Sequence, residues 1–161
     1  MTNQPADANK AEQREALAVA VRALGVREHN ELELREKLKQ RNYDGIIIDN
    51  VIEQLKHYDY LNEHRYAESF LRSRLNKGET PRAAAYKARQ RGADAEALQL
   101  AIEEAEGHFD AFDACKTVLD KRDPAGLRKH DQRVWQRQMR YLQSKGYDIS
   151  TILQVMNEDK A

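Results

Sequence analysis

The sequence predicts an all-α protein of three tandem three-helix repeats, about nine helices in all, forming an elongated, curved helical array. Its 161 residues include seven Gly and three Pro, which favours long helices joined by short loops. The alternating β-branched pattern typical of strands is absent apart from residues 46–48. A motif of a basic residue, Gly or Asn, an apolar residue and Asp, here called the break motif, occurs three times, at 41–44, 91–94 and 145–148.

Each break motif predicts the end of one helix and the start of the next. Gly and Asn most readily adopt the left-handed backbone conformation just beyond a helix end. Asp is a strong N-cap for the helix that follows. The copies are spaced by fifty and fifty-four positions, a period typical of helical repeats.

Apolar residues recur at five shared positions, counted from the Asn or Gly of each break motif. They lie four positions before it and one, six, nine and ten positions after it. The last three have the spacing of a buried helix stripe. In the first repeat these residues are Leu38, Tyr43, Ile48, Val51 and Ile52.

Helix-start signals help to place the repeats. Asn30 with Glu33 resembles a capping box, and Thr80 supplies an N-cap directly before Pro81. We expect a disordered tail followed by three repeats, with the ranges 1–11, 12–60, 61–106 and 107–159.

The sequence predicts a cytoplasmic protein that is not an enzyme. The longest early apolar run, 16–21, is far shorter than the roughly 20 residues needed to span a bilayer, so no membrane partner is expected. Cys115 is the single cysteine, and its apolar neighbours at helical spacing favour a core residue over a nucleophile. Phosphate-binding Gly loops, cysteine pairs and His-x-x-x-His motifs are missing, so we expect no catalytic residue, cofactor or metal.

The net charge is zero, but the charges are grouped along the chain. Residues 71–92 contain seven basic and one acidic side chain, 93–115 contain seven acidic and no basic ones, and 116–145 contain nine basic and three acidic ones. Local potential matters more than the total, so two basic segments make an anionic partner plausible. Solvated helix faces with offsetting charge are the alternative interpretation.

A helix over 129–145 would carry basic and apolar residues on opposite faces. Trp135, Met139 and Leu142 fall on one face, which favours a core position for Trp135 over a base-stacking platform. The opposite face carries four basic residues and no acidic residue among them on that face. They are here called the basic ridge: Lys129, Arg133, Arg137 and Arg140. A continuous ridge of one sign predicts contact with an anionic partner.

The second repeat offers another candidate face. Arg82, Tyr86 and Arg89, here called the arginine–tyrosine face, follow i, i+4, i+7 spacing, and the preceding helix adds Arg72, Arg74 and Lys77. Such a pattern can hold phosphates without reading base sequence. It equally suits an acidic groove on a protein, and the sequence does not separate the two.

Residues 60–70, Tyr-Leu-Asn-Glu-His-Arg-Tyr-Ala-Glu-Ser-Phe, resemble a run typical of the RecX family, bacterial modulators of the RecA recombinase. The similarity continues through Arg74, Gly78, Thr80-Pro81 and Arg91-Gly92. Residues 23–34 resemble the family's first unit and 140–147 its third, so the resemblance extends over about 14–157.

Four sites depart from the family pattern. Asp59 stands where Gly is usual, and Asn62 stands where Asp is usual. The pair at 79–80, Glu-Thr, replaces a pair that typically ends in Gly, and the pair at 87–88, Lys-Ala, replaces a typical Glu-Leu. The second repeat is therefore expected to bind differently.

The resemblance implies a non-enzymatic regulator that binds RecA and its filament on single-stranded DNA and reduces recombinase, ATPase and coprotease activity. It implies a role in homologous recombination, DNA repair and the SOS response. Two alternatives stay open: a sequence-independent binder of single- or double-stranded DNA, and a protein-only adaptor that uses the Tyr-rich segment 58–66. Nothing in the sequence demands a dimer, so a monomer is expected.

Overall fold

The computed structural model describes residues 4–158, which form nine α-helices and one short 3₁₀ helix and no strand. The all-α prediction is therefore confirmed. The α-helices are α1 Gln4–Val26, α2 Glu31–Gln40, α3 Gly45–His57, α4 Glu63–Asn76, α5 Pro81–Gln90, α6 Ala95–Gly107, α7 Ala111–Arg122, α8 Gln132–Ser144 and α9 Ile149–Met156. The 3₁₀ helix, Leu127–Lys129, lies between α7 and α8.

The N-terminal segment differs from the prediction. A disordered tail over 1–11 is wrong for residues 4–11, because α1 begins at Gln4. Pro5 is tolerated in the first turn of a helix, and the alanines at 6, 8 and 11 are strong helix formers. Residues 1–3 lie outside the described part of the chain.

All three break motifs end a helix in the predicted way. Asn42, Gly92 and Gly146 have φ values of 66°, 89° and 100°. In each case the next residue donates its backbone N–H to the carbonyl five positions earlier, as in Tyr43 to Leu38 at 3.3 Å, which satisfies a carbonyl of the last helical turn. The Asp that follows accepts from backbone N–H groups of the next helix: Asp44 from Ile46 and Ile47, Asp94 from Ala97, and Asp148 from Thr151.

The predicted start signals are also present. Asn30 and Glu33 form a reciprocal capping box at the start of α2. The Thr80 hydroxyl accepts from Ala83 N at 3.2 Å, directly ahead of Pro81 at the first position of α5.

Helix packing divides the chain into two compact units. Among the described residues, one unit contains 4–69 together with 88–99, and the other contains 70–87 together with 100–158. The boundaries run through α4, α5 and α6, so the middle repeat contributes helical segments to both units.

The core of the first unit is formed mainly by α1, α2 and α3. Large aliphatic side chains fill it, among them Leu34, Leu38, Val51, Ile52 and Leu55, each completely buried. Burial of such side chains stabilises the fold by about 1.5–3 kcal/mol each.

The core of the second unit is formed mainly by α7, α8 and α9. It buries Leu119, Leu142 and Ile152, and Trp135 packs against it, as predicted. Cys115 is completely buried in the same core, which confirms it as a core residue.

Candidate functional site

Helix α8 displays most of the basic ridge to solvent. Asp131 caps the helix by accepting from the N–H groups of Arg133 and Val134. Because Leu142 and Gln138 are buried on one side of α8, the other side faces water and carries Arg133, Arg137 and Arg140, all exposed. These three arginines form no ion pair within the described residues 4–158, so their charges are not neutralised there.

Lys129 belongs to a different element from the rest of the ridge. It ends the 3₁₀ helix Leu127–Lys129, ahead of the Asp131 cap, and its side chain is exposed. The continuous helix expected over 129–145 is therefore interrupted. Asp123 holds the start of the 3₁₀ helix in place, since it accepts from the N–H groups of Leu127 and Arg128 at 2.8 and 3.2 Å and bonds the buried Arg128 guanidinium at 3.0 Å.

The arginine–tyrosine face lies on α5 as predicted. Ala84 and Ala88 are buried, while Arg82, Tyr86 and Arg89 are exposed, with Tyr86 62% exposed. A tyrosine this exposed between two arginines can stack on a nucleobase or cover an apolar patch on a protein.

The predicted cations at the end of α4 divide into two groups. Arg72 and Lys77 are exposed. Arg74 has a structural role instead: its guanidinium bonds Glu79 at 3.3 Å and lies 5.3 Å from the centre of the Phe70 ring. Its side chain is 22% exposed, so it is poorly available to a partner.

Three of the departures from the family pattern have a visible structural role. Asp59 has a φ of 58°, so it adopts the left-handed conformation for which Gly is the usual choice. Asn62 performs the capping that Asp would perform, accepting from Arg65 N at 2.9 Å. Glu79 is 3% exposed, and its Oε1 atom lies 2.6 Å from Lys87 Nζ.

A further basic cluster surrounds Tyr141 and was not singled out from the sequence. The Arg122 guanidinium lies 3.6 Å from the centre of the Tyr141 ring, and Lys145 Nζ lies 5.3 Å from it. Arg122 also donates to Gln138 Oε1 at 3.0 Å. The excess of basic residues over 116–145 was the available signal, but residues on α7 and α8 meet here only through helix packing.

Within residues 4–158, no three His, Cys, Asp or Glu side chains are grouped so as to hold a metal ion. None of the described helices combines the length and the apolar character needed to cross a bilayer.

Comparison with known proteins identifies the family. Three family models match in order: the first three-helix domain of RecX over residues 16–55, the second over 62–102 and the third over 110–156. These matches confirm the architecture of three tandem three-helix repeats.

Curated relatives agree with the family models. A "Regulatory protein RecX" of Halorhodospira halophila is 36% identical over 133 residues, which cover 83% of this chain and 81% of the relative. One of Pseudomonas putida is 33% identical over 138 residues, covering 83% of each chain.

Solved structures share the fold. A crystal structure of regulatory protein RecX superposes with a TM-score of 0.74 at 19% identity, covering 98% of this chain and 80% of that one. RecX from Lactobacillus salivarius superposes with a TM-score of 0.70 at 18% identity, covering 91% and 96%. With family models matching all three repeats, the chain belongs to the RecX family of regulatory proteins.

Proposed function

We propose that this protein is a cytoplasmic, non-enzymatic regulator that binds RecA and RecA filaments on single-stranded DNA. It acts by stoichiometric binding and inhibits the recombinase, ATPase and coprotease activities. Its biological setting is homologous recombination, DNA repair and the SOS response. It acts as a monomer, and no cofactor or membrane takes part.

One observation supports this proposal above the others: the uncompensated charge of Arg133, Arg137 and Arg140 on α8. All three are exposed, and they form no ion pair with a described residue. Their i, i+4, i+7 spacing places them along one side of the helix. A row of guanidinium groups suits carboxylates and phosphates equally, and a nucleoprotein filament presents both.

The arginine–tyrosine face supplies a second contact of the same kind. Arg82 and Arg89 are exposed on α5 and form no ion pair in the described part of the chain. Several weak contacts to one filament strengthen each other, because each one raises the effective concentration of the next.

The test reverses the charge of the ridge and measures the DNA-dependent ATPase of RecA. We expect the R133E/R137E/R140E variant to lose most of its inhibition. The matched control is R14E/R22E/R41E, which makes the same change at exposed arginines of the first repeat that form no ion pair with a described residue. Inhibition by the ridge variant that equals the inhibition by the control would overturn the assignment.

Two other functions give different results in a pull-down with purified RecA, carried out with and without single-stranded DNA. A general DNA-binding protein would bind naked DNA with steep salt dependence and show no preference for RecA filaments. A protein-only adaptor would bind without DNA, and the exposure of Tyr58 and Tyr60, 62% and 55%, favours the segment 58–66 as its contact.

A further inference from the structure

A cavity of about 300 Å³ lies in the second unit, where the end of α4 meets α7 and α8. Apolar and aromatic side chains form much of its wall, among them Leu75, Phe109, Val118 and Tyr147. Its volume falls at the lower end of the range for small-ligand sites in proteins.

The wall formed by the loop after α4 is held in place from two sides. The Tyr147 hydroxyl donates to the Gly78 carbonyl at 3.0 Å. Gly78 has a φ of 87°, and a Cβ atom at this position would lie 2.7 Å from Val118 Cγ2. The loop therefore packs tightly against α7.

The mouth of the cavity is cationic. Lys77, Lys121 and Arg122 line it and are exposed. The two lysines form no ion pair with any residue from 4 to 158. Glu79 is the single acidic residue among the described residues that line the cavity, and Arg74 and Lys87 compensate its charge.

We propose that this cavity binds one unstacked base of a single-stranded nucleic acid, while Lys77, Lys121 and Arg122 bind the neighbouring phosphates. A base is a flat apolar ring with polar edges, and it suits an interior that includes the rings of Phe109 and Tyr147. The phosphates on either side of it require donors and positive charge at the mouth, where the three cations lie.

The position of the cavity relative to α8 favours a nucleic acid over an acidic peptide. Arg133, Arg137 and Tyr141 follow one another at i, i+4 spacing, and Tyr141 lines the cavity beneath Arg122. The row of cations on α8 therefore continues to the mouth of the cavity. A strand with one charge per nucleotide matches such a row, while the aromatic and aliphatic side chains of the cavity wall suit a base better than a carboxylate. This inference does not require RecA.

The test measures binding of a fluorescein-labelled single-stranded oligonucleotide of about 15 nucleotides by anisotropy, without RecA. A second oligonucleotide of the same length carries abasic residues and so keeps the phosphates. We expect the wild-type protein to bind the oligonucleotide with bases about tenfold more tightly, the order of effect that one stacked base contributes. Equal affinity for the two would overturn the proposal, because charge alone would then explain binding.

Charge reversal locates the site. We expect K77E/K121E to bind the oligonucleotide with bases about tenfold more weakly and to lose the preference for bases, because the reversed charges at the mouth repel the phosphates on either side of the base and so keep the base out of the cavity. The control, K10E/K39E, has the same charge change at exposed lysines of α1 and α2 and should keep that preference. A cavity variant that behaves like the control would refute the assignment.

Two further measurements cover a variant that does not fold and an acidic peptide as the ligand. If K77E/K121E does not fold, as shown by circular dichroism, the abasic comparison on the wild-type protein still decides. A labelled peptide rich in Glu and Tyr tests the acidic-peptide alternative: binding of that peptide, with no binding of the oligonucleotide, would exclude a base in the cavity. Because RecA is absent, these results are independent of the ATPase test of the α8 ridge.

Discussion

Lys87 Nζ lies 2.6 Å from Glu79 Oε1, and this ion pair joins α5 to the segment directly before it. Glu79 is 3% exposed, whereas the Lys87 side chain is 41% exposed. A buried carboxylate is stabilised by a nearby cation, and Lys87 supplies one to Glu79. Lys87 is therefore paired within the protein and is less available to a partner than an unpaired lysine.

We expect Lys87→Met to lower the free energy of unfolding by about 1–2 kcal/mol. The loss of Lys87 leaves Glu79 with Arg74 alone, and Glu79 Oε2 already lies buried without a hydrogen-bond partner in the described structure. The Lys87 side chain is 41% exposed, so the effect should be smaller than for a fully buried pair. Urea unfolding measures it.

A double-mutant cycle tests the coupling. Glu79→Gln removes the buried charge, so Lys87→Met should be much less harmful in that background. Lys39→Met, at an exposed lysine without an ion pair among the described residues, should change stability very little. Additive effects of the two substitutions at 79 and 87 would contradict the coupling.

We expect Gly146→Ala to destabilise the protein by about 2–4 kcal/mol. Its φ is 100°, and a Cβ there would lie 2.3 Å from Thr80 Oγ1 and 2.6 Å from Ala83 Cβ. Conformational strain and overpacking then act together. Thermal unfolding followed by circular dichroism measures the loss.

Gly25→Ala is the matched control for this substitution. Gly25 lies in α1, and no atom lies within 4 Å of the position that its Cβ would take. Since alanine is the better helix former, this variant should be unchanged or slightly stabilised. Equal losses of stability for Gly146→Ala and Gly25→Ala would show that neither the positive φ nor the close packing at Gly146 requires glycine there.

Glu63 should make stability depend on pH. Burial raises the pKa of its carboxyl group above the ordinary value, and the nearby carboxylates of Asp94 and Glu31 act in the same direction. The folded state thus holds this proton more tightly than the unfolded state does, so the contribution of Glu63 to stability falls as pH rises through the raised pKa.

Glu63→Gln isolates this contribution. The amide keeps an acceptor for the Glu31 N–H group, which lies 2.8 Å from Glu63 Oε1, but it cannot ionise. We expect the variant to gain stability relative to the wild type as pH rises from acidic to neutral. Urea unfolding over a pH series measures the difference, and a difference independent of pH would contradict the raised pKa.

Cys115 should report the opening of the second core. The thiol is completely buried, and burial, with a smaller effect of the Asp148 charge, raises its pKa to about 11. We expect its reaction with a thiol reagent at mildly alkaline pH to be on the order of a thousandfold slower in the native protein than in urea, since the thiol must first be exposed. Rapid labelling of the native protein would show that this core opens readily.

Much of the local structure was determined by the sequence. The break motifs at Asn42, Gly92 and Gly146 end helices because Asn and Gly adopt the left-handed conformation more readily than other residues do. The Asp that follows each of them caps the next helix. The spacing of apolar residues likewise predicted the burial of Leu38, Ile48 and Ile52, because 3.6 residues per turn brings such positions to one face.

Tertiary structure decided the features that depend on distant segments. The pairing of Glu79 with Lys87, the exclusion of Arg74 from the exposed cations, and the meeting of Lys77, Lys121 and Tyr141 around one cavity all arise where helices pack. Helical periodicity assigns residues to faces of one helix, but it does not say which faces meet. The candidate arginines of α8 could therefore be predicted from the sequence, whereas the cavity at the end of their row required the packed fold.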